Sequence, residues 1–157
     1  MDVTTASSDD RPTVSVRPAE RADLLAVYRI ETDAFPQPWP FGAFEQYLGQ
    51  PGFLVAADDA VHGYIVADRV RDRGRLVGHI KNLAVHEAHR RQGFGKLLLT
   101  RGIDLLRSQG AELVKLEVRE SNGPALDLYR SYEFEHRATV DGYYNDGEDA
   151  LLLVREL

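Results

Sequence analysis

The chain has no cysteine, which excludes disulfides, thiolate-bound metals and a cysteine nucleophile. Lysine is scarce: Lys81, Lys96 and Lys115 are the only three. No stretch approaches the roughly 18 apolar residues that a membrane-spanning helix needs. Positive charge is in deficit, and the formal net charge of −6 argues against nonspecific nucleic-acid binding as the main task. The histidines show no metal-ligand spacing, so no metal is assigned. Residues 1–12 are rich in Asp, Thr and Ser with no hydrophobic segment, and they read as a disordered tail rather than a signal peptide. These absences fit a cytoplasmic protein with no membrane partner and no nucleic-acid partner.

What remains is ordinary globular material, 43% apolar and 28% charged over 157 residues, enough for one domain spanning 13–157. Thr13 to Arg17 alternates as a strand does, and Pro18-Ala19-Glu20 opens a helix carrying Leu24, Leu25, Tyr28 and Ile30. Phe35-Pro36-Gln37-Pro38-Trp39-Pro40 ends it, because prolines remove donors and clash with the preceding turn. A short helix with Phe41, Phe44, Tyr47 and Leu48 follows. Strands are expected at 53–57, 61–70, 76–85, 112–119, 134–140 and 150–155, with helices from Gly93 to Gln109 and from Ser121 or Asn122 onward. The order describes a mixed α/β (α+β) domain of about seven strands and about four helices.

Two segments carry chemistry. The first is Leu83-Ala84-Val85 followed by Arg90-Arg91-Gln92-Gly93-Phe94-Gly95-Lys96. A strand end, a basic turn and two glycines opening a helix suit a pyrophosphate, since close backbone approach, free N–H groups and the helix dipole all favour an anion. It is neither a Walker A loop nor a dinucleotide fingerprint, because Leu97 and Leu98 stand where those motifs need Ser/Thr and Gly. Taken alone, it also fits an ordinary strand-to-helix turn.

The second is Leu116-Glu117-Val118-Arg119-Glu120-Ser121-Asn122, running into Leu128-Tyr129. Strand alternation puts Lys115, Glu117 and Arg119 on one face, so Glu117 can serve as a general base or simply pair with Lys115 or Arg119. Tyr129 can be a general acid or a core tyrosine. His79 is either a proton-transfer assistant or a structural or solvated histidine. Phe41 and Phe44 read as core.

Together these segments resemble the GNAT N-acetyltransferase superfamily, and within it the RimI/Ard1-type protein N-terminal acetyltransferases. The cofactor-loop form Gln/Arg-x-x-Gly-x-Gly/Ala matches Arg90, Gly93 and Gly95; the hallmark Leu-Glu-Val-Arg-x-Ser-Asn is intact at residues 116–122; and Tyr143-Tyr144-x-Asp146-Gly147-Glu148-Asp149-Ala150 is typical of the subgroup. The resemblance implies a GNAT fold and acetyl-CoA as co-substrate. It implies that the Leu83-Ala84-Val85 backbone holds the pantetheine arm in a splay between strands and that Arg91 to Lys96 cradle the pyrophosphate. It further implies that Asn122 touches the cofactor, that Glu117 is the base and that Tyr129 protonates the leaving thiolate. Phe35, Trp39, Tyr143 and Tyr144 are the expected walls of a peptide slot. Two positions depart from the pattern: Arg91 and Glu133 stand where glycine is usual.

The expected acceptor is the α-amine of protein or peptide N-termini, ribosomal proteins among them. With a pKa near 8, roughly a tenth of an α-amine is neutral at pH 7, against a few parts in ten thousand of a lysine with a pKa near 10.4. Rival readings are a lysine or small-amine acetyltransferase and a non-catalytic acyl-CoA sensor.

Overall fold

The computed structural model of the chain describes residues 13–157; the tail expected over residues 1–12 lies outside them. The elements in order are β1 (Ser15–Pro18), α1 (Leu24–Ala34), α2 (Phe41–Tyr47), β2 (Phe53–Ala57), β3 (Val61–Asp72), β4 (Arg75–Val85), α3 (Phe94–Ser108), β5 (Leu113–Arg119), α4 (Gly123–Ser131), β6 (Glu135–Val140) and β7 (Ala150–Glu156). The strands form one sheet in the order β1-β2-β3-β4-β5-β7-β6. Every pairing is antiparallel except β4 with β5.

The sheet is covered on both faces, and strand alternation assigns each side chain to one of them. Phe53, Val55, Tyr64, Val66 and Ala84 pack against Leu24, Val27, Ile30 and Phe44 of α1 and α2. Leu54, Ile65, Ile80, Val114, Leu116 and Val118 face Leu98, Leu99, Ile103 and Leu106 of α3 and Leu126 and Tyr129 of α4. The second set thereby leaves Lys115, Glu117 and Arg119 of β5 on the α1 side of the sheet.

Three expectations need correction. Helix α1 starts at Leu24, after a short 3-10 turn at Arg21–Asp23, rather than at Pro18. The Asp23 carboxylate accepts the Glu20 N–H at 2.7 Å and is held by Arg17, which fixes the turn ahead of the helix. Leu25 is 53% exposed and Phe41 37% exposed, so neither belongs to the core. Phe41 instead packs edge-on against Tyr28 at 5.8 Å. The inward face of α1 is set by Leu24, Val27, Ile30 and Glu31.

Helices α3 and α4 end in the same way, with the N–H two residues past the cap bonding back to the last turn. Ala111 donates to Leu106 and Gly110 to Arg107; Phe134 donates to Tyr129 and Glu133 to Arg130. Such a stop needs a left-handed residue just after the cap. Gly110 supplies it at φ 93°, and Glu133 supplies it at φ 67°. The second closure also seats Phe134 against the Tyr129 ring at 5.7 Å.

A left-handed conformation costs an L-residue roughly 1–2 kcal/mol, more than the extra entropy glycine loses on folding. Glu133→Gly is therefore expected to stabilise the protein by about 1 kcal/mol, seen as a higher urea midpoint at an unchanged m-value. A midpoint that stays or falls would contradict this account of the cap.

Candidate active site

β4 and β5 pair in parallel at Val77 with Leu113, Gly78 with Val114 and His79 with Lys115, and no further. Beyond His79 the two strands diverge. β4 also carries a bulge, since Val66 pairs with Asn82 and Ala67 with Ile80, leaving Lys81 as the extra residue. A bulge bends its strand and re-aims side chains. The result is a cleft of about 260 Å³ between the strands. Leu83, Glu117, Asn122 and Tyr129 line it, as do the expected slot residues Phe35, Trp39, Tyr143 and Tyr144.

Glu117 and His79 meet where the split begins, with His79 Nε2 2.7 Å from Glu117 Oε1. Glu117 therefore pairs with His79 rather than with Lys115 or Arg119. The hydrogen bond to His79 is the main reason the Glu117 carboxyl sits below its usual pKa, against the opposing effect of burial. The group is thus an ionised carboxylate at neutral pH.

Tyr129 is buried, and its hydroxyl has no hydrogen-bond partner among the described residues. Burial, with a smaller contribution from Tyr144, raises the phenol well above its ordinary value, so the proton stays on oxygen until a strong base appears. Asn122 caps α4, its Oδ1 accepting the Ala125 N–H at 3.3 Å. Tyr143 is exposed and meets Tyr144 edge-on at 5.0 Å. Trp39 packs between Phe44 and Tyr47 at 5.4 and 5.7 Å.

The phosphate-type loop stands apart from the cleft walls, at the far end of β4. Gly93 adopts φ 87° as the N-cap of α3, and the first helical bond is Leu97 N–H to Gly93. The N–H groups of Gly93, Phe94, Gly95 and Lys96 have no acceptor among the described residues. These four unsatisfied donors at a helix start form an anion site. Arg91 holds φ 66°, the conformation that glycine would take more easily there. Gln92 and Lys96 are exposed. The Arg90 side chain ties the loop to β4 through the Val85 carbonyl at 3.2 Å. Phe94 is half-buried and stacks on His62 at 5.4 Å, so it offers the loop its backbone alone. His62, hydrogen-bonded to Asp58 at 2.8 Å, also touches His89 with ring centroids 3.9 Å apart. Ala84 is buried by its side chain, while the β5-facing backbone edge of β4 past His79 has no partner strand.

The sequence did not single out Glu31, which is 1% exposed. It accepts hydrogen bonds from the Trp39 N–H at 2.8 Å, from Asn82 Nδ2 at 2.8 Å and from the Tyr64 hydroxyl. Burial raises its pKa, and the three donors oppose that rise. Its signal was available: a carboxylate at the next inward-facing position of the Leu24–Val27–Ile30 stripe is conspicuous, because buried charge is costly without donors.

Comparison with known proteins agrees with this fold. Residues 24–134 match the Acetyltransferase (GNAT) family. The N-alpha-acetyltransferase of Saccharolobus solfataricus is 32% identical over 97% of this chain and 98% of its own length. The [ribosomal protein bS18]-alanine N-acetyltransferase of Escherichia coli K12 is 34% identical over 85% of this chain and 91% of its own. The crystal structure of Ard1 from Thermoplasma volcanium superposes with a TM-score of 0.85 at 28% identity, covering 92% of this chain and 97% of that one.

Because the Glu117 pKa is lowered, the stability it contributes is present above its unfolded value near 4.3 and is lost as pH falls through the folded value. His79→Ala removes the main lowering influence and leaves burial to act. Glu117 should then titrate at a higher pH, followed by carbon-13 NMR of the glutamate carboxyls. An unchanged Glu117 titration in that variant would show that the imidazole does not set it.

Proposed function

Since the chain belongs to the acetyltransferase (GNAT) family, we propose that it moves an acetyl group from acetyl-CoA directly to the α-amine of protein N-termini. The observation that carries this reading is the Glu117–His79 pair at the mouth of the split, on the same cleft as the Tyr129 phenol. Supporting it, relatives covering nearly the whole chain are named for that reaction.

The chain's residues suit acetyl-CoA at each part of the molecule. The free N–H groups of Gly93 to Lys96 would hold its pyrophosphate. Leu83-Ala84-Val85, on the unpaired stretch of β4, would hold the pantetheine arm as a neighbouring strand would. Asn122 keeps its amide nitrogen for the same arm while its oxygen caps α4. The acetyl thioester would then reach the split between β4 and β5, where pairing ends and the Lys81 bulge stands. Backbone donors aimed at the carbonyl oxygen there would stabilise the charge that develops on it.

The amine nitrogen attacks the thioester carbonyl carbon, forming the N–C bond as the C–S bond breaks. Glu117 takes the proton from the nitrogen, directly or through one water, and His79 holds the carboxylate in place. Tyr129, which stays protonated beforehand, would donate to the sulfur as negative charge develops on it and pass its proton to the thiolate as the C–S bond breaks. Without cysteine, no acyl-cysteine intermediate intervenes. Phe35, Trp39, Tyr143 and Tyr144 would form the walls that receive the N-terminal residues, and residues 13–157 would form the catalytic domain. No helix among the described residues is long and apolar enough to cross a membrane, and a cytoplasmic setting, where nascent and ribosomal N-termini occur, fits the reading.

Glu117→Gln should lower turnover by about 10²–10⁴-fold while sparing acetyl-CoA binding; unchanged turnover would remove it as the base. A peptide panel fixes the acceptor. Free-N-terminus peptides, N-terminally blocked peptides with an internal lysine, and small amines are each incubated with acetyl-CoA and sequenced by fragmentation mass spectrometry. Label on the α-amine is expected. Label confined to lysine or small amines would overturn the assignment, and no CoA release with any amine would favour a sensor.

A further inference from the structure

Arg119 is the one charged residue of the Leu116–Asn122 run whose side chain the reaction leaves unused and the structure buries deeply, at 8% exposure. It sits at the end of β5, two residues past Glu117 and on the same face. Its Nη1 donates to Asp146 and to Glu148, both at 2.8 Å. Its Nη2 reaches Gln37 Oε1 at 3.3 Å, and the guanidinium lies 4.0 Å over the Tyr144 ring. The second oxygen of Glu148 accepts the Ser121 N–H at 2.8 Å. One cation therefore joins the end of β5 to the loop between α1 and α2 and to the loop between β6 and β7. Those two loops supply Phe35, Trp39, Tyr143 and Tyr144 to the cleft.

We infer that Arg119 is a positioning residue that fixes the peptide slot and sets its charge preference, by tying both loops together and neutralising Asp146 and Glu148. The planar guanidinium suits this task, since it serves several acceptors in one plane while stacking on an aromatic face; a lysine would offer a point charge without the fork. Its two carboxylate partners come from a single loop and share one cation. Removing that cation leaves paired negative charge on the rim where residues behind the N-terminus pass. The slot would then favour cationic peptides and disfavour acidic ones. Removing the carboxylates instead leaves the cation and shifts the preference the other way. This opposition of sign is what a purely structural tie would not produce.

The inference rests on the peptide N-terminus reading above. The test uses the full chain, acetyl-CoA, and two peptides that share an N-terminal alanine and differ by Lys or Glu at the next residue, with CoA release as the readout. In Arg119→Gln, the KM for peptide should rise by about tenfold with the KM for acetyl-CoA unchanged, and the Lys-to-Glu ratio of kcat/KM should rise several-fold. Arg119→Lys should restore the ratio but only part of the peptide KM. Asp146→Asn with Glu148→Gln, whose amides keep acceptors for Arg119 and the Ser121 N–H, should lower the ratio below wild type. This variant carries the test if Arg119→Gln does not fold. A wild-type ratio in the folded Arg119 and loop variants would overturn the inference while leaving N-terminal acetylation standing. A wild-type enzyme that acetylates neither peptide would overturn both.

Discussion

The parallel contact between β4 and β5 lasts three residue pairs, and nearly every functional feature follows from its early end. Continuous pairing would bury the β4 backbone in ladder bonds and close the cleft. Stopping at His79 and Lys115 instead leaves one strand edge open inside the sheet. It also places His79 and Glu117 side by side at the point of divergence, where strand separation is still small enough for a 2.7 Å hydrogen bond. The Lys81 bulge sharpens the departure by bending β4 away from its regular register. Helices pack on both faces of the sheet, and the cluster on the α3 and α4 side spans the strands on both sides of the split.

Much of the site could be read in the sequence wherever the controlling physics is local. Alternation along β5 was enough to put Glu117 on the polar side and Leu116 and Val118 in the core, and the Asn122 cap with Pro124 behind it fixed the start of α4. The loop from Arg90 to Lys96 was likewise legible, since helix starts and glycine conformations are set over a few residues. The companions of those residues were not. His79 and Glu117 are 38 positions apart, and only the register of a parallel pair, invisible to local pattern, brings them together. Arg119 reaches Gln37 across 82 positions for the same kind of reason. Helix phase accounts for Leu25, since the inward stripe of α1 runs through Leu24, Val27 and Ile30, whereas Phe41 stands at the start of α2, whose buried residue is Phe44. The cofactor and acceptor, by contrast, were read from the whole set of motifs rather than from any one side chain.

Charge is divided along β4, with free donors at one end and carboxylates in the cleft. At one end, free N–H groups and nearby arginines provide an anion site without a carboxylate accepting from the loop. In the cleft, Glu117 and Glu31 are held as acceptors by His79, Asn82, Tyr64 and a backbone N–H. The buried Glu31 spans three elements at once, so the aromatic loop at Trp39 cannot move independently of the bulged strand. The position of Trp39 and the position of Asn82 beside the bulge are therefore set by the same carboxylate.

The open edge within the sheet has one more consequence. Unpaired strand edges invite other strands, and proteins ordinarily blunt them at the rim with charge, bulges or short length. Here the edge lies in the interior, flanked by β5 and with helices on both faces of the sheet, so its position rather than charge or short length guards it. Hydrogen-bonding capacity that at a sheet's rim would lead to aggregation is thereby kept available inside the fold, and in the function proposed above it is what a non-protein guest would use.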